Sequence, residues 1–282
     1  MEQTPKAVRT VEYAPDLYHF DKVADSISGG FDAVTDEDVQ YFHDHGYLSI
    51  QGAFSTEEVE AALAGMVHLM DGAHPDFRGI QFEPKLGIKK SELVGDERRD
   101  AIRKLMGYVE YDSRLKAMAE QAGLIDVLTS IMGERPTLFQ DMALAKPPRI
   151  GSEKPWHQDC AYFNLPLGTT VVGVWIALDE ATAENGCMHI IPDSHREPMV
   201  HFKRRDWQIC DTHVPVQRDV MVPLKPGGCL LWHGLTHHGS PANLSDKRRR
   251  ALQFHYKPES SESLTTQERM AVFGSEGKDV EC

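Results

Sequence analysis

In WHQDCAYFN, residues 156–164, a histidine and an aspartate stand two apart, His157 and Asp159. In an extended strand residues i and i+2 project to one face, so the pair presents an imidazole and a carboxylate side by side. Two histidines and one carboxylate on one side of a divalent metal leave adjacent positions open, the arrangement used by non-haem Fe(II) oxygenases. That reading needs one more histidine, and LLWHGLTHHGSPANLSDKRRRALQFHY supplies His233, His237, His238 and His255. Adjacent His237 and His238 face opposite ways in an extended chain, so only one of them is inward, and Ser240 shares a face with His238. The dyad alone is not distinctive. His74-Pro75-Asp76 repeats it in GAHPDFRG, where the proline and flanking glycines suit a turn instead.

Elements must position these groups. Thr35 with Asp38 and Ser55 with Glu58 have capping-box spacing, which predicts helices from 35 to Gly46 and from 55 to Gly72, with YLSIQGAF as a strand between them. Helical patterns recur at 96–106, 112–122 and 124–132, the last stopped by Gly133. From Pro136 the texture changes to short apolar runs punctuated by Gly, Pro, Asn and Asp, near 137–146, 156–163, 170–178, 187–192, 219–224, 228–238 and 249–257. A helical block followed by about seven short strands predicts a mainly β fold, a two-sheet antiparallel jelly roll with the N-terminal helices packed on one sheet. One domain is expected over 1–282: an arm (1–34), a mainly helical part (35–135), the jelly-roll core (136–258) and a polar tail (259–282), partly disordered or a surface helix.

Composition narrows the function classes. The 282 residues are 41% apolar and 26% charged, ordinary for a globular protein. A net charge of −13 opposes a nucleic-acid partner, which would need Lys and Arg against phosphate. No apolar run is long enough to span a membrane and no export signal is visible, so a cytoplasmic protein, monomer or homodimer, is expected. The five cysteines are odd in number without C-x-x-C spacing and are expected as reduced, buried thiols.

The order His157-x-Asp159, then VWIALDEATAENGCMHIIPDSHRE, then HGSPANLSDKRRRA resembles the phytanoyl-CoA dioxygenase family of Fe(II)- and 2-oxoglutarate-dependent oxygenases, over residues 35 to 257 and most densely from ALAKPP onward. Its most specific part is a histidine followed by Gly-Ser, an Asn and an Arg, here His238, Ser240, Asn243 and Arg249. The resemblance implies a double-stranded β-helix, cupin-like, with His157, Asp159 and His238 as iron ligands. Arg249 and Ser240 would hold the distal carboxylate of 2-oxoglutarate, as a guanidinium fork with a hydroxyl beside it can. Trp175 would lie near the co-substrate, Gln140 would line the pocket, and His233 and His195 match family positions near the site. O2 would be the second co-substrate, and the implied reaction is hydroxylation of an unactivated C–H bond, or another oxidative outcome such as desaturation, with release of succinate and CO2. Halogenating members carry a small residue in place of the carboxylate, and this chain has Asp159. The substrate is expected to be a small molecule, with Lys203, Arg204 and Arg205 in the 195–218 insert available to an anionic group and Tyr162 and Phe163 available to line its side. Zinc on the same triad would make a hydrolase instead, and a jelly-roll binding protein without activity is the third reading.

Overall fold

The computed structural model describes residues 11–83, 92–274 and Cys282. In chain order its elements are β1 (Ile27–Ser28), α1 (Asp36–His45), β2 (Tyr47–Gln51), α2 (Thr56–Met70), β3 (Ile80–Phe82), α3 (Gly95–Arg99), β4 (Ile102–Met106), α4 (Ser113–Ala119), α5 (Ala122–Met132) and β5 (Pro136–Lys146). Then come β6 (Lys154–His157), β7 (Val172–Ala177), β8 (Met188–Ile190), β9 (His201–Lys203), β10 (Trp207–Ile209), β11 (Val220–Val222), β12 (Cys229–His233), β13 (His238–Ser240), β14 (Arg249–Pro258) and α6 (Thr266–Phe273).

Both capping boxes form, Thr35 with Asp38 on α1 and Ser55 with Glu58 on α2, and Gly46 ends α1 in the left-handed region at φ 80°. The strands make two sheets. The larger has the order β1-β2-β12-β7-β14-β5-β4-β3, the smaller β11-β8-β13-β6, and β9 pairs with β10 in a separate hairpin. Strand alternation divides the large sheet into two faces. Val172, Val174 and Ile176 of β7 and Leu252 and Phe254 of β14 pack with Met66, Leu69, Leu124 and Leu128 of the helices. From the other face Trp175, Leu230, Trp232 and Ala251 meet Met188, Ile190 and Val222 of the small sheet. This is the double-stranded β-helix expected, with helices on one sheet only.

Four local expectations change. The 96–106 pattern is not one helix: α3 stops at Arg99 and the chain re-forms as β4, paired with β3 and β5. Ile102 and Leu105 are both fully buried, and their spacing of three suits a helix, so the pattern alone could not separate the two states. The 156–163 run is a strand only to His157, after which a 3-10 turn over Asp159–Ala161 takes over, and 228–238 is interrupted between β12 and β13. Cys210 and Cys282 are joined in a disulfide across 72 residues, with Cα atoms 5.4 Å apart, while Cys160, Cys187 and Cys229 are free and buried. Spacing in sequence could not announce a pair that meets only in the fold. The tail carries a surface helix, α6, started by a Thr265–Glu268 capping box, and Phe273 at its end is buried beside Ala161 and Leu235. The rest of that tail, 275–281, and positions 1–10 of the arm lie outside the described residues. No helix among the described residues is long and apolar enough to cross a membrane.

Candidate active site

His157 ends β6 and His238 begins β13, and the two strands pair with these residues directly opposite. Their rings lie 4.1 Å apart. Asp159 enters the same space from the 3-10 turn, its Oδ1 3.5 Å from His157 Nε2 and its Oδ2 3.5 Å from His238 Nε2. One donor atom from each of the three lies within 4.8 Å of the other two, and all three residues are buried. Each imidazole is oriented from behind. His157 Nδ1–H donates to the carbonyl of Pro155 and His238 Nδ1–H to that of Thr236, both at 2.9 Å, which leaves each Nε2 lone pair facing the cluster.

The Asp159 carboxylate is fixed through one oxygen. Its Oδ2 accepts from the indole N–H of Trp232 at 2.8 Å and from His255 Nε2 at 2.9 Å, so Oδ1 is left to face inward with His157. Trp232 reaches it only because its cross-strand neighbour is Gly173: a Cβ there would stand 2.3 Å from the indole ring. Burial works to raise the Asp159 pKa, but His255 and His238 outweigh it and hold the carboxyl well below its usual range. Burial, with Lys154 and His238 adding to it, pulls His157 down to about 3, and burial lowers His238 as well. Two neutral imidazoles and an ionised carboxylate are the donor set a divalent transition metal takes.

Burial also depresses His201 to about 3 and His233 and His237 to about 4. Each is neutral when folded and, with the ordinary histidine value of 6.5, charged in acid when unfolded. The stability they contribute is complete above about pH 6.5 and is lost as pH falls toward 4, by about 1.4 kcal/mol per pH unit for each group. The melting temperature of the metal-free protein is therefore expected to fall steadily between pH 6.5 and 4. A flat profile over that range would contradict these assignments.

The cluster opens into a cavity of about 240 Å³. Gln140, Met142 and Leu144 of β5 line it, with Ser240 and Arg249 at one end and Arg103, Lys104 and Lys154 elsewhere on its wall. Arg249 is 1% exposed, and no carboxylate among the described residues meets it: its Nη1 donates to Gly186 O at 3.0 Å and Ser240 Oγ at 3.3 Å. Among the described residues its Nε has no partner, nor does the indole N–H of Trp175, whose ring lies 5.1 Å from the guanidinium carbon. Burial brings Arg249 down to about 10, so it is still a cation at neutral pH. A buried cation with spare donors is a costly arrangement unless an anion completes it.

The family model for phytanoyl-CoA dioxygenase (PhyH) matches residues 42–251. The chain belongs to the phytanoyl-CoA dioxygenase family. Phytanoyl-CoA dioxygenase domain-containing protein 1 of Danio rerio is 29% identical over 264 residues, covering 79% of this chain and 90% of that protein. Phytanoyl-CoA dioxygenase 1 of Oryza sativa subsp. japonica is 30% identical over 254 residues, covering 79% and 89%. Among solved structures, the non-heme alpha ketoglutarate dependent carbocyclase SnoK from nogalamycin biosynthesis superposes with a TM-score of 0.67 at 20% identity, over 89% of this chain and 97% of that one. EvdO2 from Micromonospora carbonacea var. aurantiaca, complexed with 2-oxoglutarate, gives 0.63 at 23% identity, over 82% and 94%. These structural likenesses carry the fold.

Family membership and geometry together sort the expected residues. His157, Asp159 and His238 are brought together, Ser240 and Arg249 meet at one end of the cavity, and Gln140 lines it. Trp175 does not line the cavity; it is fully buried beneath Arg249. His237 points away and meets Glu197 O through Nε2 at 2.9 Å. His233 accepts from Leu235 N and His195 meets His43 O, both outside the triad. Asn243 ties down the β13–β14 connection through Lys146 O and Lys247 O. Tyr162 and Phe163 line the cavity, whereas Lys203, Arg204 and Arg205 do not. Lys203 and Arg204 are exposed, and Arg205 is locked between Glu153 at 2.8 Å and Asp211 at 2.6 Å, because those carboxylates already satisfy its fork. Trp232 as the partner of Asp159 was not foreseen. His255 was a candidate for the third ligand and is instead the partner of Asp159, on the same face of β14 as Arg249.

Proposed function

We propose that this chain is an Fe(II)- and 2-oxoglutarate-dependent oxygenase that hydroxylates an unactivated C–H bond of a small molecule, releasing succinate and CO2. The observation that carries the reading is the pairing, in one cavity, of an open His-Asp-His cluster with a buried arginine that no carboxylate among the described residues meets. A zinc hydrolase would use the first feature and have no use for the second.

His157, Asp159 and His238 would hold the metal, with Trp232 and His255 engaging one Asp159 oxygen so that the other is presented to it. Arg249 and Ser240 would bind one carboxylate of 2-oxoglutarate. Lys104 has no hydrogen-bond or ion-pair partner among the described residues and lines the same cavity, which makes it the cation available to the second carboxylate. Burial, then Lys154 and Arg103, bring it down to about 8, so it is charged at neutral pH and loses that charge as pH rises through 8. The metal and 2-oxoglutarate supply the oxidising chemistry when bound, and the protein orients the C–H bond and shields the site from water. Trp232, Phe163 and the buried face of β14 provide that shielding.

Exchange of adjacent histidines tests the assignment. His238→Ala is expected to lose stoichiometric Fe(II) binding and 2-oxoglutarate-dependent succinate release, while His237→Ala retains both. The reverse pattern would move the ligand by one residue and sink the register argued for β13.

A further inference from the structure

Among the described residues the walls of the cavity carry five basic side chains, Arg103, Lys104, Lys146, Lys154 and Arg249, of which Lys146 is held well below its usual pKa by burial and then by Arg249, and one carboxylate, Asp159. That excess stands inside a chain of net charge −13. Three of these basic side chains have protein partners: Lys146 Nζ donates to the carbonyls of Ser240 and Pro241, Lys154 pairs with Asp206 at 2.8 Å and with the Tyr162 hydroxyl at 3.0 Å, and Arg249 meets Gly186 and Ser240. Arg103 and Lys104 have none among the described residues. A divalent metal with Asp159 leaves one positive charge, and the two carboxylates of 2-oxoglutarate, set against Arg249 and Lys104, do not neutralise the sum. Arg103 then remains half-buried beside Lys104, its fork without a partner among the described residues.

We propose that Arg103 is the anchor for an anionic group, carboxylate or phosphate, on the primary substrate. The inference rests on the co-substrate reading above, which assigns Arg249 and Lys104 elsewhere. Met106, Met142, Met188, Leu144 and Phe163 make the apolar part of the same wall, and methionines adapt to irregular skeletons. The substrate class is therefore an apolar skeleton bearing one acid group, the acid held at Arg103 and a C–H bond of the skeleton turned toward the triad. Burial first, then repulsion from Lys154 and from Arg103, depresses Lys104, so an anion brought to this wall meets more than one positive group. The basic run in the insert does not supply this charge, since Lys203, Arg204 and Arg205 lie outside the cavity wall.

The probes are octanoate and octyl phosphate, with 1-octanol and octylamine as controls, titrated calorimetrically into the anaerobic protein loaded with Fe(II) and 2-oxoglutarate. At least one anion is expected to bind about tenfold or more tightly than 1-octanol, the effect of one charge-assisted contact. Arg103→Gln is expected to erase that preference and Arg103→Lys to keep most of it, while the 2-oxoglutarate dissociation constant changes by less than about twofold because Arg103 is not its anchor. The relative strength of octanoate and octyl phosphate tells carboxylate from phosphate. Equal binding of the neutral probe, no binding of either anion, or a loss of 2-oxoglutarate affinity in Arg103→Gln with the anion preference intact would each overturn the proposal. If 2-oxoglutarate itself does not bind, the co-substrate reading fails separately. The wild-type and Arg103→Gln comparison is then made on the metal-free protein, where absence of any difference overturns the anchor too.

Discussion

Replacing Asp159 with alanine is expected to lower metal affinity by more than the roughly 10–100-fold that loss of an outer hydrogen-bonding partner costs, and to abolish succinate release coupled to substrate oxidation. The substitution removes the one anionic donor of the cluster and leaves two neutral imidazoles 4.1 Å apart, a weaker site for a divalent ion. It also strands Trp232 Nε1 and His255 Nε2, both buried and both donating to Asp159 Oδ2. Some loss of stability is therefore expected alongside the loss of metal. Asp159→Asn separates the two effects, since its amide oxygen can still accept from Trp232 and His255 while the charge is gone. Metal binding measured by equilibrium titration should fall in both variants, and the melting temperature mainly in the alanine variant. Unchanged metal affinity in either would remove Asp159 from the ligand set.

Arg249→Leu is expected to raise the 2-oxoglutarate concentration needed for half-maximal succinate release by about tenfold or more, because charge-assisted hydrogen bonds contribute about 1.5–3 kcal/mol each. Its neighbours in the triplet serve as controls. Arg248 is held by Asp100 at 2.6 Å and Arg250 by Asp179 at 2.8 Å, both away from the cavity. Leucine at 248 or 250 should leave the 2-oxoglutarate requirement near the wild-type value. If Arg250→Leu instead gives the large effect, the alternation assigned to β14 is out by one residue.

That alternation shows what kind of information the sequence holds. Period-two patterning along β14 separates Arg249, Ala251, Gln253 and His255 from Leu252 and Phe254, and the inter-sheet face follows from it directly. The capping boxes are equally local, and both form where Thr35, Asp38, Ser55 and Glu58 put them. His157 and Asp159 meet as expected though not as two residues of one strand, because the chain turns at Asp159 and still delivers its carboxylate to the same side. What escaped is set by pairing between distant segments. β4 exists because β3 and β5 flank it, and IRKLM by itself reads as readily as a helix. Trp232 reaches Asp159 because Gly173 lies opposite it in a register that neither strand states alone. The Cys210–Cys282 bond likewise depends on where the C-terminus returns. The basic run at 203–205 was conspicuous by composition, yet the basic side chains that reach the cavity come from β4, β5, β6 and β14.

The most direct test of the central claim is an anaerobic visible-absorption titration of the metal-free protein, first with Fe(II) and then with 2-oxoglutarate. The account predicts a charge-transfer band that appears only when both are present, is absent in Asp159→Ala, and needs more 2-oxoglutarate in Arg249→Leu. No band, with zinc retained tightly through purification, would contradict it and leave the buried guanidinium of Arg249 facing some other anion.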